Sequence, residues 1–281
     1  MSTAGRFSPD GARFAIARDT FVEIYDSQTQ SLLGRLDGHL LAVNDLSWSP
    51  CSRYVASAGD DFLVIVWSAS TFKPLRTLRG HTQSIASVRF NYKGNLIVST
   101  SIDENLRVWD VLQARCLTIL AAHSEPVCAA DFCFDSTLIV SGSYDGLVRL
   151  WDTQSGHCLK TLTGAQNNPL PVTFTRFTPN GQYVIVANIE GQIQVWDYVN
   201  TKIVMLFEAP PDKFTRSIGI HDRSLIIATS TGVRIHDISS GELKSELLFE
   251  GGALTADISA DGTKILFAGP RGFEIRPFNP N

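Results

Sequence analysis

The sequence predicts an all-β fold, a seven-bladed β-propeller, and three observations lead there. The first is a repeat. His39, His81 and His123, in GRLDGH, RTLRGH and TILAAH, stand 42 residues apart; each is followed 22 residues later by Asp61, Asp103 or Asp145, and six residues after that by Trp67, Trp109 or Trp151. A fixed period of this length is the signature of a repeat architecture. The second is the pattern inside a unit, where short apolar-alternating runs such as NLIVSTSIDENLRVWD and TLIVSGSYDGLVRLWD, rich in β-branched residues, are separated by Gly, Pro, Asn or Asp. Each unit therefore reads as four short strands. The third is that no helical period of useful length occurs.

The aromatic position continues outward at intervals of 40 to 45, to Tyr25 on one side and to Trp196, His236 and Arg276 on the other, which makes seven units. The first strand of a unit tends to end on an aromatic residue, Phe7, Trp48, Phe90, Phe132 or Phe177. A tight turn follows, and SPDG, TPNG and SADG place Gly11, Gly181 and Gly262 where such a turn needs a positive φ. The pattern weakens away from the middle. Unit one keeps Tyr25 and Asp19 without a histidine; unit five has Ala165 at the histidine position and Glu190 before Trp196; unit six has Ser230 and His236, and unit seven Pro270 and Arg276. Those units must rest on apolar packing and are expected to form the less stable side of the ring. With no linker or low-complexity stretch, residues 1–281 read as one domain.

The end units imply an unusual closure. Only six residues precede Phe7, and after about Ile275 the remainder, RPFNPN, is short and proline-rich, so neither terminus of the given sequence supplies a fourth strand to unit seven. The expectation is a three-stranded seventh blade with residues 272 to 276 as an open edge guarded by Arg271 and Pro277, unless a longer native N-terminus completes it.

Composition narrows the function classes. A hydrophobic content of 44% with 19% charged residues suits a large core, and a net charge of −4 offers no general attraction to nucleic acid or anionic membranes. The five cysteines, Cys51, Cys116, Cys128, Cys133 and Cys158, contain no C-x-x-C pair and form an odd set, which fits reduced thiols inside the cell. Cys116 and Cys158, also 42 apart, are equivalent outer-strand positions expected to be buried. No apolar run approaches a signal peptide or a membrane span. There is no phosphate loop, paired-carboxylate motif or zinc signature, so no cofactor is implied; His157 and His221 lie outside the repeat and read as surface or turn residues.

The recurring histidine, aspartate and tryptophan, together with Ser57, Ser99 and Ser141 four residues before each aspartate, have the chemistry of a closed network. Indole N–H donates to hydroxyl, hydroxyl to imidazole, and imidazole N–H to carboxylate, leaving no buried polar group unpaired. A His, Asp and Ser set could also make a hydrolase triad or a metal site. Catalysis needs one point of convergence, however, whereas this set recurs in three units, so the sequence reads as a non-enzyme.

These positions resemble the structural tetrad of WD-repeat (WD40) propellers. Between them, HSEPV at 123–127, SGSYDGLVRLWDTQSGHCLKTL at 141–162, TPNGQYVIVANIEGQIQVWDY at 178–198 and FNYKGNLIVSTSIDENLRVWD at 90–110 are similar to the small WD-repeat subunit of COMPASS and MLL-type complexes, which methylate lysine 4 of histone H3. The resemblance implies a non-catalytic nuclear scaffold whose partners are a SET-domain catalytic subunit and a second WD-repeat subunit, with histone H3 as a further candidate. It also implies two surfaces. In animal members the channel mouth clamps an arginine between two phenylalanine rings; the matching positions here are Ala86 and Ser217, so the cage is absent. The mouth retains Asn44, Asp60, Ile102, Cys128, Tyr144, Thr173 and Phe214, which read equally as solvated rim; Asp60 and Tyr144, each one residue before a tetrad aspartate, should project into the face of the ring. The second surface is a groove between blades five and six that receives a segment of a neighbouring subunit, matched by Asn180, Tyr183, Val195 and Ile220, although Asn180 also reads as a turn residue and Val195 as a packed strand residue. Fold does not fix partners, and an adaptor of a ubiquitin ligase, of RNA processing or of the G-protein β type remains the alternative.

Overall fold

The computed structural model describes residues 4–121, 123–163, 170–207, 217–221, 224–229, 232–249, 255–269 and 272–278. Among the described residues twenty-seven strands form seven antiparallel sheets, each made of strands consecutive in sequence. Blade 1 runs from Gly5–Phe7 at the channel through Arg13–Arg18 and Phe21–Asp26 to Leu32–Asp37 at the rim. The inner strands of blades 2 to 6 are Val43–Trp48, Ile85–Phe90, Val127–Phe132, Val172–Phe177 and Ser217–His221, each followed by three more. Blade 7 has three strands, Thr255–Ile258, Lys264–Gly269 and Gly272–Pro277. Its last strand pairs with Lys264–Gly269 on one side and is the sheet's outer edge, with Pro277 at its end, while Arg271 lies outside the described residues.

The core lies between blades. Seven apolar clusters occupy the seven blade interfaces, including one between blades 7 and 1. The middle strands are enclosed by neighbours on both faces, which is why Leu63–Ser68 and Lys264–Gly269 are buried almost throughout. The rim strand Pro74–Arg79 has a covered face only near its end and is mostly exposed. Burying one large apolar side chain contributes about 1.5–3 kcal/mol, so each interface gains from several such residues at once.

Local chemistry sets the turns. Gly11, Gly181 and Gly262 take φ values of 68°, 67° and 67°, the left-handed conformation glycine reaches without strain. The preceding Ser8, Thr178 and Ser259 hydroxyls bond within the same turns. Cys133 occupies the equivalent position in blade 4, where its thiol donates to Asp135 at 2.8 Å and accepts the Leu138 amide at 2.9 Å. Gly38 has a different reason to be glycine, since a Cβ there would come within 2.9 Å of the Trp67 indole.

The ring closes through its inner strands. The Phe7 amide donates to Asp257 Oδ2 at 2.8 Å, and Arg6 Nη1 donates to Thr255 Oγ1 at 3.1 Å. Behind this clasp Phe14 stacks on Tyr25 with centroids 5.0 Å apart, and both rings meet Phe273.

Candidate functional site

Three blades carry complete polar networks. In blade 2 Trp67 Nε1 donates to Ser57 Oγ at 2.8 Å, Ser57 Oγ lies 2.7 Å from His39 Nε2, and His39 Nδ1 lies 2.9 Å from Asp61 Oδ1. Blade 3 repeats it through Trp109, Ser99, His81 and Asp103, with corresponding distances of 2.8, 2.7 and 2.8 Å. Blade 4 does so through Trp151, Ser141, His123 and Asp145 at 2.9, 2.9 and 2.8 Å. Trp109 is fully covered and its hydroxyl partner Ser99 is wholly buried, so no open side remains for a substrate. Burial pushes the His81 and His123 imidazoles below their ordinary value despite the facing carboxylates, so they stay neutral. Burial would raise Asp61 and Asp103, but hydrogen bonds from the histidines and from the Leu40 and Thr82 amides hold both below the usual carboxylate range. Each serine is shared by a donor and an acceptor, which makes it a structural junction and not an activated nucleophile.

At the channel mouth the structure brings together Asn44, Cys128 and Thr173 around a cavity of about 150 Å³ that is also lined by Ala86 and Ser217. Asn44 Nδ2 donates to Asp60 Oδ1 at 2.7 Å and to Ile85 O at 3.0 Å, and Asp60 also accepts from the Ser84 hydroxyl. Asp60 is thus tied down toward the channel. Ile102 and Tyr144 are exposed turn residues of blades 3 and 4 outside the lining, Tyr144 within electrostatic reach of Cys128. Cys128 Sγ donates to Val172 O, and burial pushes this thiol up to about 12. Phe214 lies outside the described residues. Phe174, which sequence reasoning did not single out, contributes an aromatic ring to the wall.

Below the mouth the channel is lined by opposite charges. Arg6, Arg89, Asp131, Arg176 and Asp257 each stand one residue before the end of an inner strand, and Asp45 lies in the inner strand of blade 2. Arg89 Nη1 pairs with Asp45, Arg6 Nη2 lies 3.9 Å from Asp45, and Arg176 Nε lies 3.7 Å from Asp131. The carboxylates also join blades, because Asp45 accepts the Val88 amide and Asp131 the Phe177 amide, both at 3.1 Å. Burial raises Asp131 and Asp257 above the ordinary carboxylate value and pushes Arg6 down to about 10. The sequence held a signal for this set, the charged residue before the strand-ending apolar residue in GRF, VRF, ADF, TRF and ADI.

A groove of about 380 Å³ between blades 5 and 6 brings together Asn180, Tyr183 and Val195. Val195 is its buried floor. Asn180 also serves its turn, its Oδ1 accepting from Thr178 Oγ1 at 2.6 Å and from the Gln182 amide at 3.1 Å. Ile220 is not part of the lining; it packs with Phe174 and Tyr183 against the blade 5–6 core. The other walls come from Gln182, Val204, Met205, Ile238 and Ser239.

Two expectations about cysteine need correcting. Cys158 is exposed and Cys116 only half-buried, because the rim strand has a neighbouring strand on one side and solvent on the other. All five thiols are free. Ala165, Ser230 and Pro270 lie outside the described residues. Among the described residues no group of three or more His, Cys, Asp or Glu could hold a metal ion, and no helix is long and apolar enough to cross a membrane. The family model described as WD domain, G-beta repeat matches residues 30–68, 72–110, 114–152 and 156–197, which is more than half of the chain.

Proposed function

This chain belongs to the WD-repeat family, whose propellers serve as scaffolds or adaptors for partner proteins, and on that footing we propose that it is the small WD-repeat subunit of a COMPASS-type complex methylating lysine 4 of histone H3. In this reading it is a nuclear, non-catalytic scaffold. It holds a SET-domain catalytic subunit and a second WD-repeat subunit in one assembly.

The observation that carries the reading is the groove between blades 5 and 6. Its half-buried Tyr183, exposed Asn180 and apolar floor of Val195 and Met205 suit an extended segment that buries an apolar side chain and is held by polar contacts at the rim. The mouth suits a different use from that of the animal relatives. With Ala86 and Ser217 in place of two rings, an arginine side chain there finds the single ring of Phe174 and no sandwich.

The test is purification of the native complex, with and without Asn180→Ala and Tyr183→Ala together. The wild-type chain should bring down a SET-domain methyltransferase and a second WD-repeat protein. The double variant should lose at least one of them while keeping its thermal midpoint, and depletion of the chain should lower lysine 4 methylation. A cullin, a polyadenylation factor or a G-protein γ chain in their place, or unchanged methylation after complete depletion, overturns the proposal.

A further inference from the structure

We propose that the end of the central channel opposite the mouth docks a partner-protein segment carrying an acidic side chain next to an apolar or aromatic one. A cavity of about 140 Å³ opens there, lined by Arg6, Arg89, Arg176 and Asp257 with Pro9 and Trp48 among its walls. Of the six channel charges, Asp45 and Asp131 do not line it, although each lies against an arginine that does, so the opening presents mainly the N–H donors of three guanidinium groups whose charge the three aspartates balance.

The three arginines are not equally engaged. Arg89 donates to Asp45 and to Val88 O, and Arg6 to Gly5 O and Thr255 Oγ1. Arg176 makes no hydrogen bond among the described residues; its closest ionic contact is Asp131 at 3.7 Å, and its side chain is 29% exposed. A guanidinium carries five N–H donors in a planar fork that matches a carboxylate. Asp131 and Asp257 already balance the charge of Arg176, so its unused N–H donors suit an acceptor that adds as little negative charge as possible, a carboxylate and not a doubly charged phosphate.

An independent feature borders the same opening. The second residue of the inner turn is Pro9, Pro50, Pro179 or Ala260 in four blades, but Tyr92 in blade 3 and Phe134 in blade 4. Proline already has the φ that this turn position requires, so the fold has no use for an aromatic there. Yet the two rings stand 5.2 Å apart, with Tyr92 44% and Phe134 63% exposed. They follow Arg89 and Asp131 by three residues each and do not line the cavity itself, but Tyr92 lies within electrostatic reach of Arg176, which places the pair beside the opening. Exposed aromatic pairs beside a desolvated charge are the usual anchors of protein interfaces.

Selection of random twelve-residue peptides on the full chain tests this. Recovered peptides should share an Asp or Glu beside an apolar residue. Calorimetry with resynthesised peptides should show binding about tenfold or more weaker for Arg176→Gln, the loss expected for a charge-assisted hydrogen bond, and for the matching acid-to-amide peptides. Tyr92→Ser with Phe134→Ser should weaken it similarly. Arg176→Lys, which keeps the charge, should retain part of the affinity, and Asn180→Ala with Tyr183→Ala should leave it unchanged. Thermal midpoints confirm that the variants fold. Recovery of no binder, winners without an acid, equal binding to Arg176→Gln, or displacement by inorganic phosphate as effective as by the acidic peptide each overturns the proposal.

Discussion

Blades 2 to 4 and blades 5 to 1 reach the same sheet geometry by different chemistry. In the first group a buried serine joins indole to imidazole, as Ser99 does between Trp109 and His81. In the second, the residue ten before the aromatic position is Ala15, Val186, Ile226 or Leu266, each buried and apolar. Serine and histidine are therefore absent together. A lone serine hydroxyl in that interior would have no partner, and a lone histidine would lose its own, so the network is stable whole or replaced whole. The second group then satisfies its aromatic residue at the surface or by stacking: Tyr25 Oη donates to Glu23 at 2.7 Å, Trp196 Nε1 to Gln194 Oε1 at 2.9 Å, and His236 packs edge-on against Phe207.

The largest expected effect breaks a complete network. Ser99→Ala leaves the Trp109 N–H and His81 Nε2 without partners in a site closed to water, at about 1–3 kcal/mol each. Denaturant midpoints should place it well below wild type, whereas His157→Ala, at an exposed turn, should stay within about 0.5 kcal/mol. Similar losses for the two would mean that the tetrads contribute no more than a surface residue.

Ring closure comes next. Asp257→Ala removes the acceptor of the Phe7 amide and a countercharge of Arg6 and Arg176, an expected cost of about 2–3 kcal/mol. Asp257→Asn keeps an acceptor and should cost less. If the ring instead relies on apolar packing alone, both variants will unfold at the wild-type midpoint.

Much of this architecture is legible in the amino-acid sequence. The 42-residue period and the alternation within units give seven sheets, because each is a local property of the chain. The three-stranded seventh blade follows from counting runs after SADG. The channel charges are visible one by one, but alternation assigns a side chain to a face and does not say that seven such faces converge, so Arg6 and Asp257 could not be paired across the closure. The groove is legible only where a turn or strand motif marks it, at Asn180, Tyr183 and Val195. Met205, Val204, Ile238 and Ser239 belong to a rim strand and a turn whose exposed positions carry no periodic constraint.

A smaller effect distinguishes the blades by pH. Burial lowers His81 and His123, so the folded state holds them neutral while the unfolded chain takes up protons below about 6.5. Their contribution is complete above that value and is lost as pH falls through it toward the lowered folded value. His236 is lowered as well, by burial, and adds to the same slope. Stability should therefore fall between about pH 7.5 and 5.5, and His81→Gln should flatten the slope; a profile level over this range would show that folding leaves the imidazoles unshifted, and a rise would show that the fold holds them protonated.

The smallest expected effect is in blade 5, where Trp196 is as deeply placed as a tetrad tryptophan, 5% exposed, but its indole N–H is satisfied by Gln194 on a half-buried strand position. Gln194→Leu removes that acceptor while keeping the side chain's bulk. The N–H that it strands faces a half-buried position, which water can approach. The expected loss is about 0.5–1.5 kcal/mol, the net worth of an ordinary hydrogen bond, against the larger penalty for two sealed groups in Ser99→Ala. A second measurement sharpens the contrast: hydrogen exchange of the Trp196 indole should accelerate in the variant while that of Trp109 stays slow. A loss as large as that of Ser99→Ala would mean that blade 5 holds a closed network of its own, and the division between the two sides of the ring would not stand.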